Sequence, residues 1–89
     1  MAEQDTDMER ESIVRDINSF LVDEFEIERE LISPEATWKE IGIDSLDFVD
    51  IVVIIEKNYG FKLKGEEMVN IKTLDQFYSH VHQRVLSKN

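Results

Sequence analysis

Apolar residues recur at helical spacing in three stretches of this chain, and very little else in it could build a sheet. Ile13, Val14, Ile17, Phe20 and Leu21 share one helical face, with Glu9, Arg10, Arg15, Asp16 and Asp23 on the others. Thr6 followed by Glu9 has the spacing of a capping box, so a helix is predicted from near Asp7 to Glu24 or Phe25. Asp44 or Ser45 can cap a second helix that runs to about Asn58, before the Tyr59-Gly60 exit. Phe48, Val52, Ile55 and Tyr59 form its apolar stripe, and Asp47, Asp50 and Lys57 mark a polar face, within which Ile54 falls. Thr73 and Gln76 repeat the capping-box spacing, and Leu74, Phe77, Tyr78, Val81 and Val85 mark a last helix ending near Leu86. The run from Ile51 to Ile55 is β-branched enough to resemble a buried strand, but there is no second run of that kind to pair with it.

The intervening segments fit the same plan. Residues 26–44 lack sustained periodicity and contain the single proline, Pro34, so they read as a long connection. Leu31, Ile32, Trp38 and Ile41 are too apolar for solvent, and this loop is expected to pack over the helices. GEEMVN at 65–70 predicts a short helix of one or two turns. Three glycines and one proline leave little material for the tight turns of a small β-sandwich or barrel. The expectation is an all-α fold: a four-helix bundle with three longer helices, a short third helix and a long first loop. At 89 residues and 42% apolar composition the chain forms one domain, 1–89, with residues 1–5 and 87–89 frayed.

Charge and missing residue types narrow the function. Ten basic against twenty acidic side chains give a net charge of −10, which repels nucleic acid and anionic membranes and favours partners with basic surfaces. Without cysteine there are no disulfides, thiolate metal sites or cysteine nucleophiles, and the expected compartment is the cytoplasm. The N-terminus has no secretory signal pattern, and no stretch approaches a membrane span, so no membrane insertion is expected. Asp44, Asp47 and Asp50 lie three apart on a helix rather than in a calcium-loop pattern, and His80 and His82 point about 200° apart, so no metal is expected. An esterase reading of Ser45 needs a histidine base and an oxyanion hole. The two histidines both sit on the last helix, with Asp75 in a D-x-x-x-x-H spacing of no catalytic meaning. The chain is not expected to be an enzyme.

Leu46, Val49 and Val53 form a second apolar stripe beside Glu56, more than a small bundle buries on one side, so either two neighbours or a partner must cover it. Gly42-Ile43-Asp44-Ser45-Leu46 places a serine where a loop meets a helix N-terminus. Free N–H groups and the helix dipole tolerate a phosphate there, although Asp44 or Ser45 could equally be no more than a cap.

G-x-D-S-L opening a long helix in an acidic chain of this length resembles the acyl carrier protein family. The first helix, the long loop with Trp38, IGIDSLDFVDIVVIIEKNYGF, the short third helix and IKTLDQFYSHV all occur in the family's order. The resemblance implies that Ser45 carries 4′-phosphopantetheine, attached by a phosphopantetheinyl transferase using coenzyme A. Acyl intermediates of fatty-acid, polyketide or related synthesis would ride on it as thioesters. It also implies that Asp44, Leu46, Asp47, Asp50, Val53 and Glu56 contribute to a face recognised by basic patches on acyl-loading, condensing and tailoring enzymes. By the same resemblance, Val52, Ile55, Leu63, Met68 and Ile71, with Trp38 nearby, would line the space for an acyl chain in a monomeric carrier. Lys57, Lys62, Lys64 and Phe48 depart from the family's usual residues and point to a specialised pathway. An aminoacyl or peptidyl carrier, or an acidic adaptor with no prosthetic group, are the competing readings.

Overall fold

The computed structural model describes residues 2–87, with side chains from Glu9 to Ser87. Four α-helices follow one another: α1 (Ala2–Phe25), α2 (Ser45–Tyr59), α3 (Gly65–Asn70) and α4 (Leu74–Ser87), with a single 3-10 turn at Arg29–Leu31 in the long first loop. This is the expected all-α bundle of three longer helices and a short third one. Among the described residues the only extended pairing is an isolated bridge between Thr37 and Thr73.

α1 begins at Ala2, not near Asp7 as the Thr6–Glu9 spacing suggested. A capping-box pattern is also compatible with a helix interior, because both residue types can simply face solvent there. Ala2 to Asp5 therefore belong to α1 and Ser87 closes α4, while Met1, Lys88 and Asn89 lie outside the described residues.

The core is built from the periodic stripes. Ile13, Ile17 and Leu21 of α1, Ile51 and Ile55 of α2, Met68 of α3, and Leu74, Phe77 and Val81 of α4 are fully buried. Polar contacts then fasten the helices at their edges. Arg10 Nη2 donates to Asp75 Oδ1 at 3.0 Å and to Ser79 Oγ at 3.1 Å, linking α1 to α4. The Tyr59 hydroxyl donates to Asp16 Oδ2 at 3.1 Å, linking α2 to α1. Burial, followed by the Asp16 charge and this hydrogen bond, raises the pKa of Tyr59.

One expectation is corrected by this packing, and one residue the sequence left without an account is placed. Trp38 and Ile41 are buried and Ile32 packs half-buried against the core as predicted, but Leu31 is 47% exposed, because the 3-10 turn at Arg29–Leu31 directs its residues to solvent. Ile54, which falls on the polar face of an isolated α2, is half-buried and shares a surface hollow with Glu24 and Phe25 at the end of α1.

A six-residue helix has no independent stability. Met68 anchors α3 from below, and Glu67 ties it to α4: Glu67 Oε1 lies 2.6 Å from His80 Nε2 and 2.8 Å from Arg84 Nη1, while Oε2 accepts from the Lys64 N–H at 3.0 Å. His80 is thus engaged with Glu67, and Asp75 with Arg10. Burial pushes the Glu67 carboxyl up, but the Lys64 N–H, His80 and Arg84 outweigh it and hold the pKa below its ordinary 4.5. A carboxylate with a depressed folded-state pKa adds stability above the unfolded value, and that stability is lost as pH falls through the folded value. Glu67→Gln is therefore expected to be less stable than wild type at pH 7, with the gap closing as pH falls below 4.5. Urea melts of both proteins across that range check this, and a gap independent of pH would mean that Glu67 acts through packing alone.

Candidate functional site

The loop before α2 is held in place from several sides. Thr37 and Glu40 form a reciprocal box, with the Thr37 N–H donating to Glu40 Oε1 at 2.9 Å and the Glu40 N–H donating to Thr37 Oγ1 at 3.2 Å. Trp38 is buried by edge-on contacts with Phe48 (centroids 5.6 Å apart) and Phe77 (5.2 Å), and its Nε1–H donates to Ile71 O at 3.0 Å. The carbonyls of Ala36 and Pro34 accept the N–H groups of Leu74 and Asp75, which opens α4 against this loop. Gly42 then turns the chain at φ +84°, a conformation that a side chain disfavours, and lets the Ile43 N–H reach back to Trp38 O at 2.9 Å. With Ile41 and Ile43 both buried, the next residues are pushed to the surface at a defined point.

That point is the start of α2, and here the structure decides between two candidate caps. Asp44 is the N-cap: its Oδ1 accepts from the N–H of Leu46 at 3.0 Å and of Asp47 at 3.2 Å, and Asp47 Oδ2 accepts from the Asp44 N–H at 3.1 Å. Ser45 is therefore not the cap. Its side chain is exposed at the first helical position, and among the described residues its hydroxyl makes no hydrogen bond. The same geometry narrows the expectation that free N–H groups help tolerate a phosphate there. Those of Leu46 and Asp47 are already taken by a carboxylate, so what the site offers is an uncommitted hydroxyl rather than an anion cradle.

Downstream of Ser45, α2 presents the second stripe to solvent. Leu46 is 80% exposed, Val49 61% and Val53 48%, so no neighbour within the described residues covers them. Asp50 and Glu56 are exposed beside them, with carboxylates that make no hydrogen bond among the described residues. Asp47 belongs to this set by position, but its carboxylate is occupied in capping. The D-x-x-D spacing of Asp44 and Asp47 and the T-x-x-E spacing of Thr37 and Glu40 were legible signals for both boxes.

The residues predicted to line an acyl space divide. Trp38, Met68 and Ile71 line an open groove of about 320 Å³ together with Thr37, Lys39, Phe48, Val69 and Lys72. Ile55 and Leu63 are instead packed into the interior, and Val52 is half-buried against the core. Phe48 is one turn from Ser45, so the groove begins on the same side of α2 as the serine.

The chain matches the family model described as the phosphopantetheine attachment site over residues 15–81, from within α1 to within α4. It is 30% identical over 82 residues to the acyl carrier protein of Coprothermobacter proteolyticus, covering 91% of this chain and 100% of the relative. The acyl carrier protein of Rubrobacter xylanophilus is 29% identical over 75 residues, covering 83% of this chain and 93% of the relative. A shorter match of 43 residues, covering 47% of this chain and 45% of the relative, reaches 54% identity to acyl carrier protein AcpXL of Rhizobium meliloti. A helical bundle whose loop is braced to expose one uncommitted serine, matched over nearly its whole length by such relatives, belongs to the acyl carrier protein family, whose members hold a covalent 4′-phosphopantetheine and are carriers rather than enzymes.

Proposed function

We propose that Ser45 is the attachment point of the phosphopantetheine arm and that the chain delivers acyl thioesters to separate fatty-acid, polyketide or related biosynthetic enzymes. The observation that carries this reading is the division of labour at the start of α2, where Asp44 performs the capping and leaves the Ser45 hydroxyl exposed and unbonded. A phosphopantetheinyl transferase then meets an accessible oxygen that takes no part in the capping network, so its modification costs the cap nothing. The arm's thiol supplies the thioester linkage. This chain contributes the rigid mount, the groove beside Phe48 and the face of α2 that partners read.

The experiment is intact-protein mass before and after incubation with coenzyme A and a broad-specificity transferase. A gain of one phosphopantetheine supports the reading, and a folded chain without the arm that gains nothing under a transferase competent on another carrier overturns it in favour of an adaptor.

The docking face follows from the exposed Leu46, Val49 and Val53 flanked by Asp50 and Glu56. A stripe of this kind suits enzymes that surround a small apolar depression with basic side chains. The double reversal Asp50→Lys with Glu56→Lys is expected to lower kcat/KM of a partner for the loaded carrier by about tenfold or more at low salt, with a smaller difference at high salt. Melting should be nearly unchanged, because neither carboxylate holds a structural bond. Asp47 is unsuitable for this test, since its reversal also removes half of the α2 capping box. Unaltered kinetics in the double variant would place docking elsewhere. A monomer in the cytoplasm fits this exchange among partners, and no described helix is long and apolar enough to cross a membrane.

A further inference from the structure

The groove beside Phe48 differs from the rest of the surface in its charge. Four other surface hollows each include at least one carboxylate: Glu67 and Asp75 in one, Glu11 in the second, Glu24 and Asp50 in the third, and Glu30, Glu35 and Glu40 in the fourth. The groove has none. Its charged members are Lys39 and Lys72, set among Trp38, Phe48, Met68, Val69 and Ile71, in a chain whose net charge is −10. Among the described residues neither lysine forms an ion pair. The Lys39 ammonium has no hydrogen-bond partner among them, and Lys72 Nζ reaches only Val69 O, at 3.5 Å.

Lysine stems often cover apolar surface while the ammonium stays in water. A purely hydrocarbon chain seated in this groove gains the apolar walls but nothing from the two exposed lysines that border it. A chain ending in a carboxylate gains the same walls and adds a charge complementary to Lys39 and Lys72. Because the groove is open along its length rather than a closed tunnel, the free end of a chain lying in it reaches the rim. We propose that this groove selects acyl groups with an anionic end, ω-carboxyacyl chains, through Lys39 and Lys72. The proposal rests on the reading that cargo borne at Ser45 enters this groove.

The chain is loaded at Ser45 from coenzyme A thioesters with either an octanoyl group or suberoyl, the ω-carboxyl chain of the same length. Two readouts are followed: the emission of Trp38, the single tryptophan and part of the groove wall, and the rate of thioester cleavage by hydroxylamine. In wild type the suberoyl form is expected to perturb Trp38 and to be cleaved about threefold more slowly than the octanoyl form, as befits one or two partly exposed ion pairs. In Lys39→Gln with Lys72→Gln, and in high salt, that advantage should vanish while octanoyl behaves as before. Equal or greater protection of octanoyl, or a double variant that keeps the suberoyl advantage, overturns the proposal but leaves the groove as the acyl site. If neither cargo changes Trp38 emission or cleavage, the groove reading falls too, whereas attachment at Ser45 stands because loading succeeded.

Discussion

Ser45→Ala is expected to lose all phosphopantetheine attachment while melting within a few degrees of wild type. The hydroxyl is exposed and makes no hydrogen bond among the described residues, so its removal leaves no buried group unsatisfied, and alanine is well suited to a first-turn helical position. Surface substitutions of this kind fall within about 0.5 kcal/mol. Asp44→Ala is the instructive contrast. It leaves Ser45 in place but deprives the Leu46 and Asp47 N–H groups of their acceptor, which costs about 1 kcal/mol, or roughly 4–8 °C in Tm for a domain of this size. Mass spectrometry and thermal melts on the two variants separate attachment from capping. A Ser45→Ala protein that still gains one phosphopantetheine would move the attachment point to another hydroxyl.

Trp38→Ala is expected to destabilise the domain by about 3–5 kcal/mol, the range for deleting a large buried aromatic. That is a large share of the roughly 5–15 kcal/mol by which small domains are stable. The loss reaches beyond the indole's own area. Trp38 packs edge-on against Phe48 of α2 and Phe77 of α4, and its Nε1–H satisfies the carbonyl of Ile71, so one side chain joins the loop to α2, α4 and the end of α3. Trp38→Phe isolates the polar part: it keeps most of the packing but leaves Ile71 O buried without its donor, at a cost of about 1–3 kcal/mol. Denaturant melts should rank wild type above Trp38→Phe above Trp38→Ala. Equal stability of the two variants would mean that packing contributes little and the hydrogen bond dominates.

Much of the bundle was legible because its information is local. The stripes of α1, α2 and α4 repeat at helical spacing, and α1, α2 and α4 each end within a residue or so of expectation. For α2 the reason is Gly60, which adopts φ +77° and closes the helix by donating its N–H to Glu56 O. The start of α1 was misplaced because Thr6 and Glu9 fit a helix interior as well as its beginning. The exposure of Leu31, expected to be covered, and the half-burial of Ile54, for which the sequence offers no account, have a different reason. Hydrophobicity says what a side chain prefers, but the turn at Arg29–Leu31 and the approach of Phe25 to α2 determine what each residue meets.

The serine and its neighbours follow the same division. The sequence by itself determined that a loop ends at Gly42, that a helix opens at Asp44 or Ser45, and that this helix has more apolar surface than one side of a bundle can bury. All three follow from residue type and spacing along the chain. Only the tertiary structure decided that Leu46, Val49 and Val53 stay uncovered, and that Lys39 and Lys72 share a groove with Trp38 and Met68. Those outcomes depend on the direction in which Trp38, Ile41 and Ile43 pin the loop, and on where α3 is held by Glu67. Such contacts join residues far apart in sequence, so no local pattern encodes them.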